Sequence, residues 1–217
     1  MKIAPAAALQ LLHAQHHATL ATHAQQLPGY PYATVLPYVL DEQHRPLLLI
    51  SVLAEHTRNL LADGRCSLAV LHKGAEDVQA EARLTLLADA QRIEADDLLL
   101  KRFLRYQPQA EDLLQLDFMF FRLQPQRLRY IGGVGRMGWL EAAELSPEVL
   151  PLAQEAALLQ QARLPDGITL LGLDAYGVDY RRQSGAGHER YNWPEAISQP
   201  EALAAALQTA LDTLAGK

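Results

Sequence analysis

A single cysteine, Cys66, stands in 217 residues, so no disulfide closes within the chain and no cysteine-rich metal site is available. Its neighbours Ser67-Leu-Ala-Val-Leu71 place it in an apolar run, as a small buried group rather than a nucleophile. Basic residues are also in short supply. Lys and Arg number 19 against 25 Asp and Glu, a formal charge of −6, and they form no long cluster. A phosphate backbone therefore finds no general attraction, which sets nucleic-acid binding aside. No apolar stretch approaches the ~18 residues that a spanning helix needs. The start of the chain runs into His13, His16 and His17 rather than into the apolar core of a signal peptide. The expectation is a cytoplasmic protein without a membrane segment. No solenoid-type repeat, Ser–His–Asp order or paired-carboxylate spacing is present either.

What is present is ample apolar content, 49%, in short runs. Leu9 to Gln15 reads as a short helix and Ala18–His23 as a strand. Pro28-Gly29-Tyr30-Pro31 then forces a turn. Tyr32–Leu40 and Pro46–Ile50 flank the polar segment Asp41–Arg45 as a hairpin. Ser51–Asp63 shifts to helical spacing through Leu53, Leu60 and Leu61, and Gly64 ends it. Strands are expected again at Cys66–His72 and Val78–Leu87, a helix over Ala90–Tyr106, and two strands at Phe118–Leu123 and Arg127–Ile131. Many short strands with few helices point to a barrel or sandwich rather than to alternating βαβ units.

The character changes near Glu141–Pro147. An alanine-rich helix to Ala162 is followed by strands at Ile168–Leu173, Val178–Arg182 and Glu189–Trp193. A glycine-rich loop lies at Ser184–Gly187 and a helix at Pro200–Leu214. The division is thus 1–143 and 147–217, the second part being small enough to need support.

Four blocks carry a family resemblance. Leu27-Pro-Gly-Tyr-Pro-Tyr-Ala-Thr-Val-Leu-Pro-Tyr38 resembles the pattern GYPYxSxxPY. Ile50-Ser-Val-Leu-Ala-Glu-His-Thr-Arg-Asn-Leu60 resembles ISxLAxHTxNL. Arg129-Tyr-Ile-Gly-Gly-Val-Gly-Arg-Met-Gly-Trp-Leu140 is similar to GGFGRAGWL, and Leu171–Tyr180 resembles a strand-turn-strand of an appended domain. In this order they resemble the pyridoxamine-phosphate-oxidase-like superfamily of FMN-binding split barrels, in its haem-utilisation (HugZ-like) branch. The resemblance implies a mainly β fold with α+β character: a six- to seven-stranded antiparallel split β-barrel plus a small C-terminal α+β domain. It also implies a homodimer with FMN in clefts between the subunits, and a flavin-dependent oxidoreductase acting on a small molecule the sequence does not specify. Haem binding without flavin chemistry is the alternative.

On this resemblance the flavin phosphate sits near the helix that follows the hairpin, where Ser51, His56, Thr57, Arg58 and Asn59 gather. Free N–H groups and partial positive charge at a helix start favour phosphate, and Arg58 can add a bidentate contact. Thr34, Val35 and Tyr38 would face the isoalloxazine ring, and Arg136 and Trp139 would close over the cofactor. The sequence departs from the family at Thr34 and Tyr38, where the oxidases carry Arg and Lys. The segment Ala153–Arg163 lacks the Asn-x-Asp-His motif of the appended domain. The branch takes an iron-ligating histidine from a C-terminal segment, and Thr213–Lys217 holds none. His188 is the remaining candidate haem ligand, and no other metal site is expected. His13, His16 and His17 are read as a helix surface, and the 13/17 pair has i,i+4 spacing. Gly133-x-Gly135-x-x-Gly138 matches a dinucleotide fingerprint formally, but it lacks the βαβ setting that fingerprint requires.

Overall fold

The structure, a computed structural model, describes residues 3–72, 74, 77–133, 135–183 and 187–215. Its elements begin α1 (Pro5–His13), β1 (His17–His23), β2 (Pro31–Pro37), β3 (Val39–Leu40), β4 (Pro46–Ser51), α2 (Glu55–Ala62) and β5 (Arg65–Leu71). They continue with β6 (Arg83–Ile93), α3 (Asp97–Tyr106), α4 (Ala110–Leu113), β7 (Phe118–Ile131), β8 (Met137–Glu141) and α5 (Ala142–Leu145). The last are α6 (Leu152–Gln161), β9 (Ile168–Asp174), β10 (Gly177–Arg182), β11 (Glu189–Asn192) and α7 (Pro200–Ala215). Two compact units result. One comprises residues 1–94 and 109–147, the other 95–108 and 148–217. The second unit therefore takes in α3, which the boundaries 1–143 and 147–217 do not place there.

The first unit is one antiparallel sheet in the order β2-β1-β5-β6-β7-β4-β3, with β8 also on β7. Its register sorts the side chains. Leu20, Leu68, Leu86, Leu128 and Leu140 stand opposite one another across five strands, all of them buried. Each contributes roughly 1.5–3 kcal/mol by leaving water. One residue away, on the other face, run Val35, Thr19, Ala69, Thr85, Arg129 and Trp139.

Strand β7 explains why the sheet curls. Along one edge β6 pairs with nearly its whole length, while on the other edge β4 takes its first half and β8 its second. The β6–β7 ladder shifts register between Leu87 and Ala88, opposite Pro125, which has no N–H to donate. Phe118–Leu123 and Arg127–Ile131 are thus one bent strand. This is the expected split barrel.

Three other expectations need correction. Ala90–Ile93 continue β6, paired with Leu123–Phe120, and the helix begins only after Asp96, whose carboxylate accepts from Leu98 N and Leu99 N. The apolar spacing was common to strand and helix, and the ladder and the cap separate them. The segment at Val78 is a turn held by Asp77, which accepts from Gln79 N at 2.9 Å, so β6 starts at Arg83. Helix α1 ends at His13 and His17 opens β1, so the two histidines share no helix face. His13 is buried, with its Nε2 2.7 Å from His44 Nδ1.

The second unit is a three-stranded antiparallel sheet, β11-β10-β9, with α3, α6 and α7. Helix α7 buries Leu203, Leu207, Leu211 and Leu214, a stripe at helical spacing, in a cluster with Leu170, Val178 and Trp193. Charge is buried as well. Glu155 on α6 pairs with Arg102 and with Arg105 of α3 and accepts from Leu173 N on β9. Asp179 accepts from Tyr106 Oη at 2.7 Å and from Arg190 at 2.9 Å. At Gly172 a Cβ would collide with the Tyr106 hydroxyl, so only glycine lets α3 lie this close to β9. Most of the loop expected at Ser184–Gly187 lies outside the described residues.

Candidate functional site

Two places in the first unit gather polar groups: the start of α2 and the end of the sheet near α1. At α2 the residue before the helix is Ala54, so no side chain caps it. Ser51 Oγ accepts from Leu53 N at 3.2 Å just upstream. The expected anchors are less available than their types suggest. Arg58 is exposed, but its Nη2 donates to Glu55 Oε2 at 3.0 Å, and that carboxylate lies in the helix's first turn, where a phosphate would bring like charge. Asn59 is fully buried. Its Nδ2 donates to Thr22 Oγ1 at 3.0 Å and its Oδ1 accepts from Gln25 N at 2.9 Å, so it ties α2 to the end of β1. Thr57 is buried as well, and its Oγ1 has no hydrogen-bond partner among the described residues. His56 is partly buried, and desolvation lowers its pKa, which favours the neutral ring.

The β2 residues divide between faces. Thr34 lies opposite Leu20 on the core side of the sheet, whereas Val35 is 65% exposed on the outer side. Tyr38 is 2% exposed, and its hydroxyl donates to Leu12 O at 2.6 Å, a core contact closed to a ligand from outside. Trp139 lies on the outer face, with the Arg127 guanidinium 4.4 Å from its ring centre and that of Arg129 5.5 Å away. Arg136 is elsewhere, so these two residues of one sequence block do not converge.

Arg136 stands at a cleft of about 380 Å³ together with Tyr130, His72 and Glu81, backed by Ala4 and Ala82. The register builds it. Leu71, Arg83, Ile131 and Met137 form the last paired row of four neighbouring strands. The next residue on each strand is His72, Ala82, Gly132 and Arg136, still linked by His72 N donating to Ala82 O and Gly132 N donating to Arg136 O. His72 Nδ1 lies 3.6 Å from Glu81 Oε2. No ion pair engages the Arg136 guanidinium among the described residues. At Gly132 a Cβ would stand 2.8 Å from the Tyr130 ring, so glycine keeps that ring in place. His72, Glu81 and Tyr130 were not singled out from the sequence, because no motif joins them.

A larger hollow of about 510 Å³ opens beside His23, Tyr30, Arg65, Cys66 and Asp89. Arg65 is held there by both oxygens of Asp63. Burial pushes the Cys66 thiol up to about 12, so it offers no thiolate. In the second unit His188 is engaged, its Nε2 2.9 Å from Asp179 Oδ1.

An antiparallel split barrel with a polar cleft at its strand ends is the class of fold that these strands define. The pyridoxamine 5'-phosphate oxidase family model matches residues 4–132, and the chain belongs to that family. It is similar to the chloroplastic heme oxygenase HOZ of Arabidopsis thaliana, 33% identical over 146 residues, which is 66% of this chain and 44% of that protein. It thus spans less than half of that relative's length. The heme oxygenase HutZ of Vibrio cholerae is 32% identical over 130 residues, 56% of this chain and 73% of that one. Among solved structures, a heme binding protein from Mycobacterium smegmatis is 27% identical with a TM-score of 0.61, covering 100% of this chain and 98% of its own. An Agrobacterium tumefaciens protein of unknown function, 24% identical with a TM-score of 0.72, shares the fold.

Proposed function

We propose that this chain is a haem-binding protein on a split-barrel scaffold. The observation that carries the reading is the likeness to the mycobacterial heme binding protein over the whole length of both chains. The state of α2 supports it: its arginine, Arg58, is ion-paired to a first-turn glutamate, and the asparagine holds the fold together. We further propose a homodimer. The outer face of the sheet carries Ala21, Ala33, Ser67 and Ala69 beside exposed Val35, Leu71 and Leu87, a small-residue surface against which a second copy can lie closely. The proposed setting is the cytoplasm, in keeping with one unpaired thiol.

A second reading is an FMN-dependent oxidoreductase with a small-molecule substrate. It is favoured by the uncapped start of α2, whose first N–H groups are open to a phosphate. Titration of the purified protein with haemin and, separately, with FMN tests both. A Soret shift saturating at one haemin per chain is expected, in a particle of twice 24.0 kDa by light scattering. No shift at stoichiometric haemin refutes the first reading. Retention of FMN with a flavin spectrum would put the second in its place.

A further inference from the structure

Eight histidines offer themselves as ligands, and their surroundings separate them. His13 and His44 are buried against each other, and the His188 side chain, beside Asp179, is only 8% exposed, so none of the three stands at an open face. His16 and His17 stack edge to face with ring centres 4.9 Å apart, and His56 is partly buried beside α2. His23 borders the larger hollow, but Asp63 and Asp89 are close by, and the one guanidinium there, Arg65, is bound to Asp63. Haem carries two carboxylates, and that acidic setting disfavours them. His72 is different. Its side chain is 52% exposed, it borders a cleft, its Nδ1 faces the Glu81 carboxylate, and Arg136 stands in the same cleft with no ion pair among the described residues.

We propose that His72 is the iron ligand for haem in this cleft, with Glu81 orienting the imidazole and Arg136 binding a propionate. The proposal rests on the haem-binding reading above. A carboxylate beside one imidazole nitrogen fixes the tautomer and raises the basicity of the other, which is the usual support of a metal-bound histidine. Among the described residues Glu81 is the group that meets His72 in this way, its Oε2 at ion-pair distance, 3.6 Å, from Nδ1, and Nε2 is the nitrogen left for iron. The alanines at positions 4, 7, 80 and 82 give the cleft low walls suited to a flat macrocycle, and the Tyr130 ring adds a flat aromatic surface. A guanidinium is well shaped to bind a carboxylate by two parallel hydrogen bonds. The site lies just beyond the last paired row of β5, β6, β7 and β8, so the register of the barrel brings its residues to one end of the sheet.

Haemin titration of the full chain and its variants tests the proposal, with resonance Raman of the reduced complex as the second readout. H72A is expected to lose the iron–histidine stretching band and to weaken haemin binding at least tenfold, and added imidazole is expected to restore the band. E81Q is expected to lower the stretching frequency. R136A is expected to raise the Kd several-fold with the Soret position unchanged, and H23A to match the parent. Full-strength binding by H72A with the parent's Raman band overturns the ligand assignment and leaves haem binding standing. Failure of the parent protein to bind haemin overturns the haem reading itself.

Discussion

Replacing Glu155 by Gln should cost the second unit about 3 kcal/mol. The carboxylate is 1% exposed and receives Arg102, whose side chain is 3% exposed, Arg105 Nη2 at 3.0 Å and Leu173 N at 3.0 Å. Gln keeps the shape and one acceptor oxygen, so Leu173 N can stay bonded. It removes the charge, and Arg102 is then buried without its counter-ion. Breaking one side of such a pair costs roughly 3–5 kcal/mol. The lower end applies here because Arg105 is partly open to water and Arg102 also donates toward Tyr106 Oη. For a chain of this size about 1 kcal/mol moves Tm by roughly 2–4 °C, so a fall of about 6–12 °C is expected. Urea unfolding read through Trp193 is the assay. The protein has two tryptophans, and a W139F background leaves only the buried one in the second unit. The double change R102M/E155L removes that pair of charges but also takes the acceptor from Leu173 N and the counter-ion from Arg105, so it should recover only part of the loss. An E155Q protein within about 0.5 kcal/mol of its parent would refute the reasoning, because it would mean that water reaches the pair.

Three further changes have defined outcomes. N59A removes both side-chain bonds that hold α2 to β1 and the following loop, and should cost about 2–3 kcal/mol in a thermal melt, at about 1–1.5 kcal/mol for each bond. Cys66, with its thiol pushed up to about 12, should resist iodoacetamide at pH 8 in the folded protein and react once urea exposes it, as read by mass spectrometry. Because folding favours its protonated form, its contribution to stability is full below the unfolded thiol pKa of about 8.5 and is lost as pH rises toward 12. His56 has the opposite sign: burial lowers its folded pKa, so the unfolded chain takes up a proton first, near pH 6.5, and stability falls as pH drops below that. Urea midpoints at pH 5 and pH 7 should therefore lie closer together in H56N than in the parent.

Much of the barrel was legible because its strands are half-buried. The alternation at Ala18, Leu20 and Thr22 or at Leu68 and Val70 is the pleat itself, written in side chains. Legibility failed where two periods overlap. Leu84 to Ile93 and Leu98 to Phe103 read as one apolar series, and only the Asp96 cap marks the change. Pro125 reads as a break, yet β7 passes through it because the bulge there requires no donor. The placement of α3 in the second unit was out of reach. It depends on Arg102 meeting a residue 53 positions away and Tyr106 meeting one 73 positions away, and no local pattern encodes such pairs.

The two candidate sites differ in the same way. Residue types at α2 were readable as a motif, but a motif does not say whether an amide faces a ligand or the protein. Asn59 faces the protein. One available signal was Glu55 three residues before Arg58, a spacing at which helical side chains meet and neutralise each other. The cleft at the sheet's end has no motif. His72 and Glu81 flank a turn, and Tyr130 and Arg136 lie about fifty residues further on, flanking another. What unites them is that Leu71, Arg83, Ile131 and Met137 share one row, so the next residue along each strand arrives at one end of the sheet. Register is set by the buried leucine row, and a slip of one residue would turn every one of those leucines to the solvent side. The side chains that pack the core therefore also bring a histidine, a carboxylate, a phenol and an arginine together. The cleft thus follows from the register of the barrel, although nothing in the spacing of its own residues announces it.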